Sequence, residues 1–157
     1  MQKPGPENGY LSEHVSLMLR SYAHLTGLEL IEPCGDRGED AKRLFDASIF
    51  VASHNDEADP ILTYGNRSAL ELFGMPWDEF TQTPSRYTAE TPERNERERL
   101  LETVAKDGFI DDYSGVRISK SGRRFQIRRA TVWNLIDDAG LKVGQAATFS
   151  EWDFLDD

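Results

Sequence analysis

The stretch Ile61-Leu-Thr-Tyr-Gly-Asn-Arg-Ser-Ala-Leu-Glu-Leu-Phe-Gly74 contains a complete passage from a strand into a helix. Its first four residues are apolar, β-branched or aromatic, as in a buried strand. Asn66 is a preferred N-cap, because its side chain can accept an amide proton from the first helical turn. Gly74 can end the helix, and Pro76 prevents its continuation. The stretch therefore predicts a strand that leads directly into the short helix Arg67–Phe73.

Further strands and helices flank this passage. Residues 48–54 predict a strand that pairs with residues 61–64 through a polar turn. The motif Thr91-Pro92-Glu93 predicts the start of the longest helix, residues 93–107, because Pro suits the first helical position. Three strands then follow one another through tight turns, at residues 109–119, 125–136 and 142–152. Since tight turns join antiparallel strands, we expect an α+β fold with an antiparallel five-stranded sheet, helices on one face and an N-terminal helical extension.

The N-terminal extension carries an apolar stripe. Val15, Met18, Leu19 and Tyr22 recur at helical spacing and share one face of a helix. Such a face must be covered, because an exposed apolar patch is unfavourable in water. The helix therefore either packs on the rest of the domain or forms a dimerisation surface through these four residues.

Length and charge bound the class of protein. The chain has 157 residues and a formal net charge of −10. This length fits one domain with flanking arms, and the acidic balance disfavours nucleic-acid partners. The sequence has no apolar run long enough for a membrane span and no signal core, so we expect a cytoplasmic protein without a membrane partner. We divide it into a disordered tail (1–10), a helix and linker (11–40) and one folded domain (41–153).

Several strings resemble a known family. Residues 61–74, followed by Trp77-Asp-Glu-Phe80, are similar to the corresponding passage of PAS domains. Six longer strings resemble the bacterial stand-alone MEKHLA-domain proteins, a PAS-related family: residues 11–22, 58–66, 84–90, 108–118, 130–135 and 144–149. A similar domain ends the plant class III homeodomain–leucine-zipper factors. The resemblance implies a PAS-like fold and a sensory or interaction role, and it implies no particular ligand.

The resemblance also directs attention to PAS cofactors. Photoactive flavin domains of the LOV type need a cysteine beside the flavin, and the corresponding residues 80–87 contain none. The one cysteine, Cys34, lies in the predicted linker. The helix at 93–107, where haem sensors carry their axial ligand, has no histidine. We therefore expect no cofactor and no metal site, while a non-covalent flavin or another small planar ligand stays open.

The expected ligand site is the space between the sheet and the helices. Tyr113 and Arg117 could offer a hydroxyl and a charge to an anionic ligand. Trp133 could stack on a planar ligand, and the Gln145 amide could read its edge. The candidate pocket residues are Tyr113, Arg117, Ile127, Trp133, Gln145 and Phe149. Ordinary core packing of Trp133 and a solvated or ion-paired Arg117 are the alternatives, and the inward face of the sheet stays open.

The sequence predicts a regulatory domain without catalysis. It contains no Gly-x-Ser-x-Gly motif, phosphate-binding loop or His-Glu-x-x-His motif. The alternative is a small-molecule enzyme, of the lyase or isomerase type, that uses the same pocket. The expected partners are a second copy of the chain, an unidentified regulatory protein or a small-molecule ligand. A basic cluster at residues 117–129 is the one feature that favours nucleic acid, and the acidic net charge opposes it.

Overall fold

The computed structural model describes residues 2–90, 92 and 94–155. The helices are α1 (Ser12–Thr26), α2 (Arg37–Asp46), α3 (Arg67–Phe73), α4 (Trp77–Phe80) and α5 (Arg94–Asp107), with 3-10 helices at Pro6–Leu11 and Ser85–Thr88. The strands are β1 (Phe50–Asn55), β2 (Leu62–Gly65), β3 (Phe109–Ile118), β4 (Arg124–Ile136), β5 (Lys142–Phe149) and β6 (Glu151–Phe154). Thr91 and Glu93 of the predicted helix-start motif lie outside the described residues. Among the described residues, no helix is both long and apolar enough to cross a bilayer.

The sheet is antiparallel, and its strand order is β2-β1-β5-β4-β3. The predicted α+β fold with a five-stranded antiparallel sheet is confirmed. One strand differs from the prediction, because the strand expected at residues 142–152 is divided at Ser150. Its first part, β5, pairs with the second half of β4, and its second part, β6, pairs with the first half. Both parts therefore lie on the same side of β4.

A β-bulge in β4 changes which side chains face the helices. Tyr113 pairs with Ala130 and Gly115 pairs with Ile127, so Arg128 and Arg129 together oppose a single residue of β3. Arg129 has a φ of 51°, in the left-handed region that residues with a side chain rarely adopt. An extra residue reverses the alternation of a strand beyond it. The side chains of β4 before the bulge and those after it therefore do not follow a single alternation between the two faces of the sheet.

The helix α1 packs on the sheet of its own chain. Val15 and Met18 are 1% and 0% exposed. The indole Nε1 of Trp133 donates a hydrogen bond to the Met18 carbonyl oxygen at 3.2 Å, and the Tyr22 ring meets the Trp133 ring edge-on at 5.0 Å. The apolar stripe thus covers one sheet face, and two of the four proposed dimerisation residues are buried inside the chain.

The N-terminal segment is more ordered than its composition suggests. Residues 6–10, expected in a disordered tail, belong to the 3-10 helix that packs against α2, where Tyr10 lies 6.4 Å from Phe45 between ring centres. Residues 37–40, expected in the linker, form the first turn of α2, because the Asp36 carboxylate accepts the Glu39 amide proton at 3.1 Å. The division into three parts stays a prediction.

Candidate ligand pocket

A cavity of about 250 Å³ lies between the sheet and the helical layer. We call it the pocket. Its apolar walls come from the sheet, from α3 and from α5, and they include Phe50, Leu62, Phe73, Leu100, Val132 and Ala147. Its rim includes the 3-10 helix Ser85–Thr88. The volume is slightly below the roughly 300–1,000 Å³ typical of ligand sites, so the pocket suits a small molecule.

Three of the six candidate pocket residues, Tyr113, Arg117 and Gln145, line the pocket. Phe149 stacks on the pocket residue Phe50 at 4.2 Å between ring centres and supports the wall from behind. Ile127 is completely buried and does not line the pocket. These side chains therefore contribute unequally to the site that the sequence predicts.

Trp133 lies outside the pocket, on the opposite face of the sheet. Its neighbour Val132 lines the pocket, whereas Trp133 contacts α1. The bulge at Arg128 and Arg129 is the reason, because it moves Trp133 out of phase with Phe125 and Ile127. Trp133 therefore does not reach a ligand in the pocket, where it was predicted to stack. It packs in the core between the sheet and α1, which was the alternative.

Arg117 brings a charge to one end of the pocket. Its guanidinium carbon lies 5.8 Å from the centre of the Tyr113 ring. The residue is partly exposed to solvent. Burial lowers the pKa of Arg117, and the neighbouring Tyr113 partly opposes this shift. Among the described residues, no carboxylate forms an ion pair with this guanidinium.

His54 and Gln145 form a neutral polar group elsewhere on the wall. The His54 Nδ1 lies 2.7 Å from the Asn55 carbonyl oxygen, so Nδ1 carries the proton that it donates. Burial lowers the pKa of His54, which keeps the ring neutral at pH 7. Gln145 Nε2 donates to Asn134 Oδ1 at 3.3 Å. His54 is not among the residues predicted for the pocket, because its pairing with Gln145 joins β1 and β5, which are distant in the sequence.

The other charged side chains at the rim are already paired. Arg86 Nε donates to the Asp59 carboxylate at 3.0 Å, and its guanidinium lies over the Tyr87 ring at 4.3 Å. The Glu90 carboxylate accepts a hydrogen bond from Arg124. Arg117 differs from these neighbours because it has no oppositely charged partner among the described residues.

The basic cluster at residues 117–129 is largely neutralised. Lys120 pairs with Glu79 at 2.8 Å. Three arginines of the cluster have acidic partners as well: Arg124 with Glu90, Arg128 with Asp153 and Arg129 with Glu151. Arg123 lies over the Phe154 ring at 3.4 Å. These pairs leave little free positive charge for a polyanion.

The pocket does not fit a covalent flavin adduct. Cys34, the single cysteine, is exposed in the loop before α2 and does not line the pocket. A photochemical bond to flavin would need a thiol at the pocket wall. Within the described ranges, no group of three or more His, Cys, Asp or Glu side chains could hold a metal ion.

Solved structures with similar folds define the class. The chain matches an RNA-binding light-oxygen-voltage receptor with a TM-score of 0.62 at 18% identity, over 77% of this chain and 36% of that one. It matches a PAS domain from Colwellia psychrerythraea with a TM-score of 0.60 at 13% identity, over 74% and 94%. The light-state dimer of the fungal photoreceptor Vivid gives 0.59 at 16%, over 96% and 97%. The chain therefore has the PAS fold.

Its family follows from the sequence. A family model of the MEKHLA domain matches residues 12–154, and the chain belongs to the MEKHLA domain family. The homeobox-leucine zipper protein ATHB-9 of Arabidopsis thaliana is 26% identical over 148 residues, which are 90% of this chain and 17% of that protein. The chain thus spans about one sixth of the length of this relative.

Proposed function

We propose that this MEKHLA domain is a regulatory sensor that binds a small, largely apolar or planar molecule in the pocket and responds through α1. The observation that carries the proposal is that the pocket and α1 lie on opposite faces of the same strand, β4, where Val132 lines the pocket and Trp133 contacts α1. The PAS fold supports a sensory role. A cytoplasmic location remains a prediction from the sequence.

Alternating residues of β4 connect the two faces. Val132 and its cross-strand neighbour Ala147 line the pocket. Trp133 holds the Met18 carbonyl of α1, and the Ile136 amide donates to Ser21 Oγ at 3.0 Å. A ligand that changes the path of β4 therefore changes the surface on which α1 packs. The ligand can shift α1 between two positions only if it binds the protein more tightly in one of them than in the other.

Filling the pocket should abolish this response. Ala147 lies between Ala52 and Val132, so Ala147→Leu places extra methyl groups in the cavity. We expect at least tenfold weaker binding of the probes riboflavin, indole and phenylacetate, measured by isothermal titration calorimetry. We also expect that probe binding changes hydrogen exchange of the α1 amides in the wild type and has no effect on them in Ala147→Leu.

The matched control is Ala139→Leu, because Ala139 is exposed in the loop between β4 and β5. It should behave like the wild type. The proposal fails if none of the probes binds, if Ala147→Leu binds them as well as the wild type does, or if binding leaves α1 exchange unchanged. Recovery of each probe in unaltered form separates binding from the enzymatic alternative.

We further propose that α1 contributes to self-association through its outer edge. Leu19 is partly exposed and borders a surface groove with Ala23 and Ile31. Leu19→Glu should weaken a dimer by about tenfold or more, because a charge replaces apolar contact area. Sedimentation velocity measures this change. Leu28→Glu is the control, since Leu28 is 63% exposed beyond the end of α1. Equal effects of both variants, or a monomeric wild type, would remove α1 as the dimer contact.

A further inference from the structure

We propose that the pocket recognises a small carboxylic acid, whose carboxylate pairs with Arg117 and whose apolar body occupies the rest of the cavity. This inference rests on the proposed function, because it names the chemical class of the ligand in the same pocket. It depends on three observations: the lack of an acidic partner for Arg117 among the described residues, the shape of the wall beside it and the charge state of the other polar groups.

The first observation is that Arg117 is a partly buried cation that lines the pocket and has no acidic partner in the described part of the chain. Enclosing an ion in protein is costly unless an opposite charge or hydrogen bonds compensate for it. Arg86 has Asp59, and Arg124 has Glu90. Glu90 lines the same pocket, yet it is already bound to Arg124. A bound anion would supply the missing compensation for Arg117.

The second observation is that the wall beside Arg117 is shaped around Tyr113. A Cβ atom at Gly115 would lie 2.9 Å from the Tyr113 hydroxyl oxygen, closer than such atoms normally approach. Gly115 therefore leaves the space that the Tyr113 phenol occupies beside the guanidinium. The guanidinium and the phenol interact with each other, and both line the pocket. They provide a planar fork of N–H donors and an O–H group for a carboxylate.

The third observation limits the ligand to a single negative charge. Arg86 is paired with Asp59, and His54 is neutral with its Nδ1 proton engaged by Asn55. Arg117 is thus the one cation without an acidic partner among the described residues that line the pocket. One cation balances a carboxylate, whereas a phosphate monoester carries up to about two negative charges at neutral pH.

The remaining walls determine the body of the acid. Phe50, Phe73, Leu100 and Val132 offer apolar and aromatic surface. Tyr113 and Gln145 lie on the two strands that flank β4, opposite Ala130 and Asn134, and these two β4 residues are about 13 Å apart along the strand at ~3.3 Å per residue. A flat apolar body therefore extends away from Arg117, towards the neutral amide of Gln145.

Matched probes test this inference by isothermal titration calorimetry at pH 7. Phenylacetate and phenylacetamide share a body and differ in charge, and phenyl phosphate carries the competing anion. We expect the wild type to bind phenylacetate at least tenfold more tightly than either other probe. Arg117→Gln should lose this preference while its affinity for phenylacetamide changes less than twofold. Arg123→Gln is the control, because Arg123 is exposed and does not line the pocket, and it should keep the preference. Thermal unfolding should show that Arg117→Gln remains folded, because the change removes an uncompensated charge.

The outcomes separate this inference from the proposed function. Equal binding of phenylacetate and phenylacetamide, or a preference that survives in Arg117→Gln, overturns the carboxylate assignment and leaves a pocket that binds neutral molecules. Tighter binding of phenyl phosphate overturns the carboxylate in favour of a dianion. If none of the three probes binds, the assignment is overturned, and if riboflavin and indole also fail, the proposed function fails with it.

Discussion

Replacing Asn66 by Ala should lower the free energy of unfolding by about 4 kcal/mol. Asn66 is 0% exposed, and its side chain makes four hydrogen bonds. Its Oδ1 accepts the amide protons of Val51 and Ala69, at 3.2 and 3.1 Å. Its Nδ2 donates to the carbonyl oxygens of Leu44 and Ile49, at 3.0 and 2.8 Å. Alanine would leave these buried backbone groups without their side-chain partner, and each such group costs about 1–3 kcal/mol before relaxation.

Chemical denaturation followed by tryptophan fluorescence measures this loss. Asn55→Ala is the matched control, because the Asn55 Oδ1 also accepts two backbone amides, from Glu57 and Ile61, in a partly exposed turn. Water can replace it there, so we expect a loss of about 1 kcal/mol. Asn66→Asp should be at least as damaging as Asn66→Ala, since a carboxylate would face the Leu44 and Ile49 carbonyl oxygens. A loss for Asn66→Ala no greater than for Asn55→Ala would contradict the central role of Asn66.

Asn66 also shows how far sequence reasoning reaches. Its N-cap role follows from the residues beside it, because capping is local and Gly74 marks the other end of the helix. Its bonds to Leu44 and Ile49 could not be predicted, since they join segments that only the folded chain brings together. The fold class was predictable for the same reason: tight turns and helix boundaries are local signals, and they limit the ways in which the sheet can form.

The pocket was predictable only in part. Tyr113, Arg117 and Gln145 were selected for their chemistry, and they line the cavity. Trp133 was assigned a ligand role for its stacking chemistry while the inward face of the sheet was left open, and in the structure it lies on the face opposite the pocket. No sequence signal marks the bulge in β4, because its left-handed residue is Arg129 rather than a glycine. A bulge is fixed by pairing with β3, β5 and β6 together, which is tertiary information.

The packing of α1 on the sheet should become less stable in acid. His14 Nε2 lies 2.9 Å from Ser53 Oγ, and the His14 ring lies 5.8 Å from the Tyr64 ring, in the layer between α1 and β1. Burial lowers the pKa of His14 from 6.5 to about 4. Between these values the unfolded chain binds a proton that the folded chain does not. The stabilising contribution of neutral His14 is therefore complete above pH 6.5 and is lost as the pH falls towards 4.

The full loss amounts to about 3 kcal/mol, at about 1.36 kcal/mol per unit of pKa. Denaturation at pH 7 and at about pH 4.5 measures most of it, and hydrogen exchange should show that the α1 amides lose protection first. His14→Gln cannot titrate and can still hydrogen-bond Ser53, so its stability should fall much less over this range. His54→Gln is the control, because the lowered pKa of His54 acts in the same direction at a site away from α1. If the stability of His14→Gln kept the full dependence on pH while His54→Gln removed it, the packing of α1 would not depend on the protonation of His14. The acid response would then arise at the pocket wall, where His54 lies against Gln145.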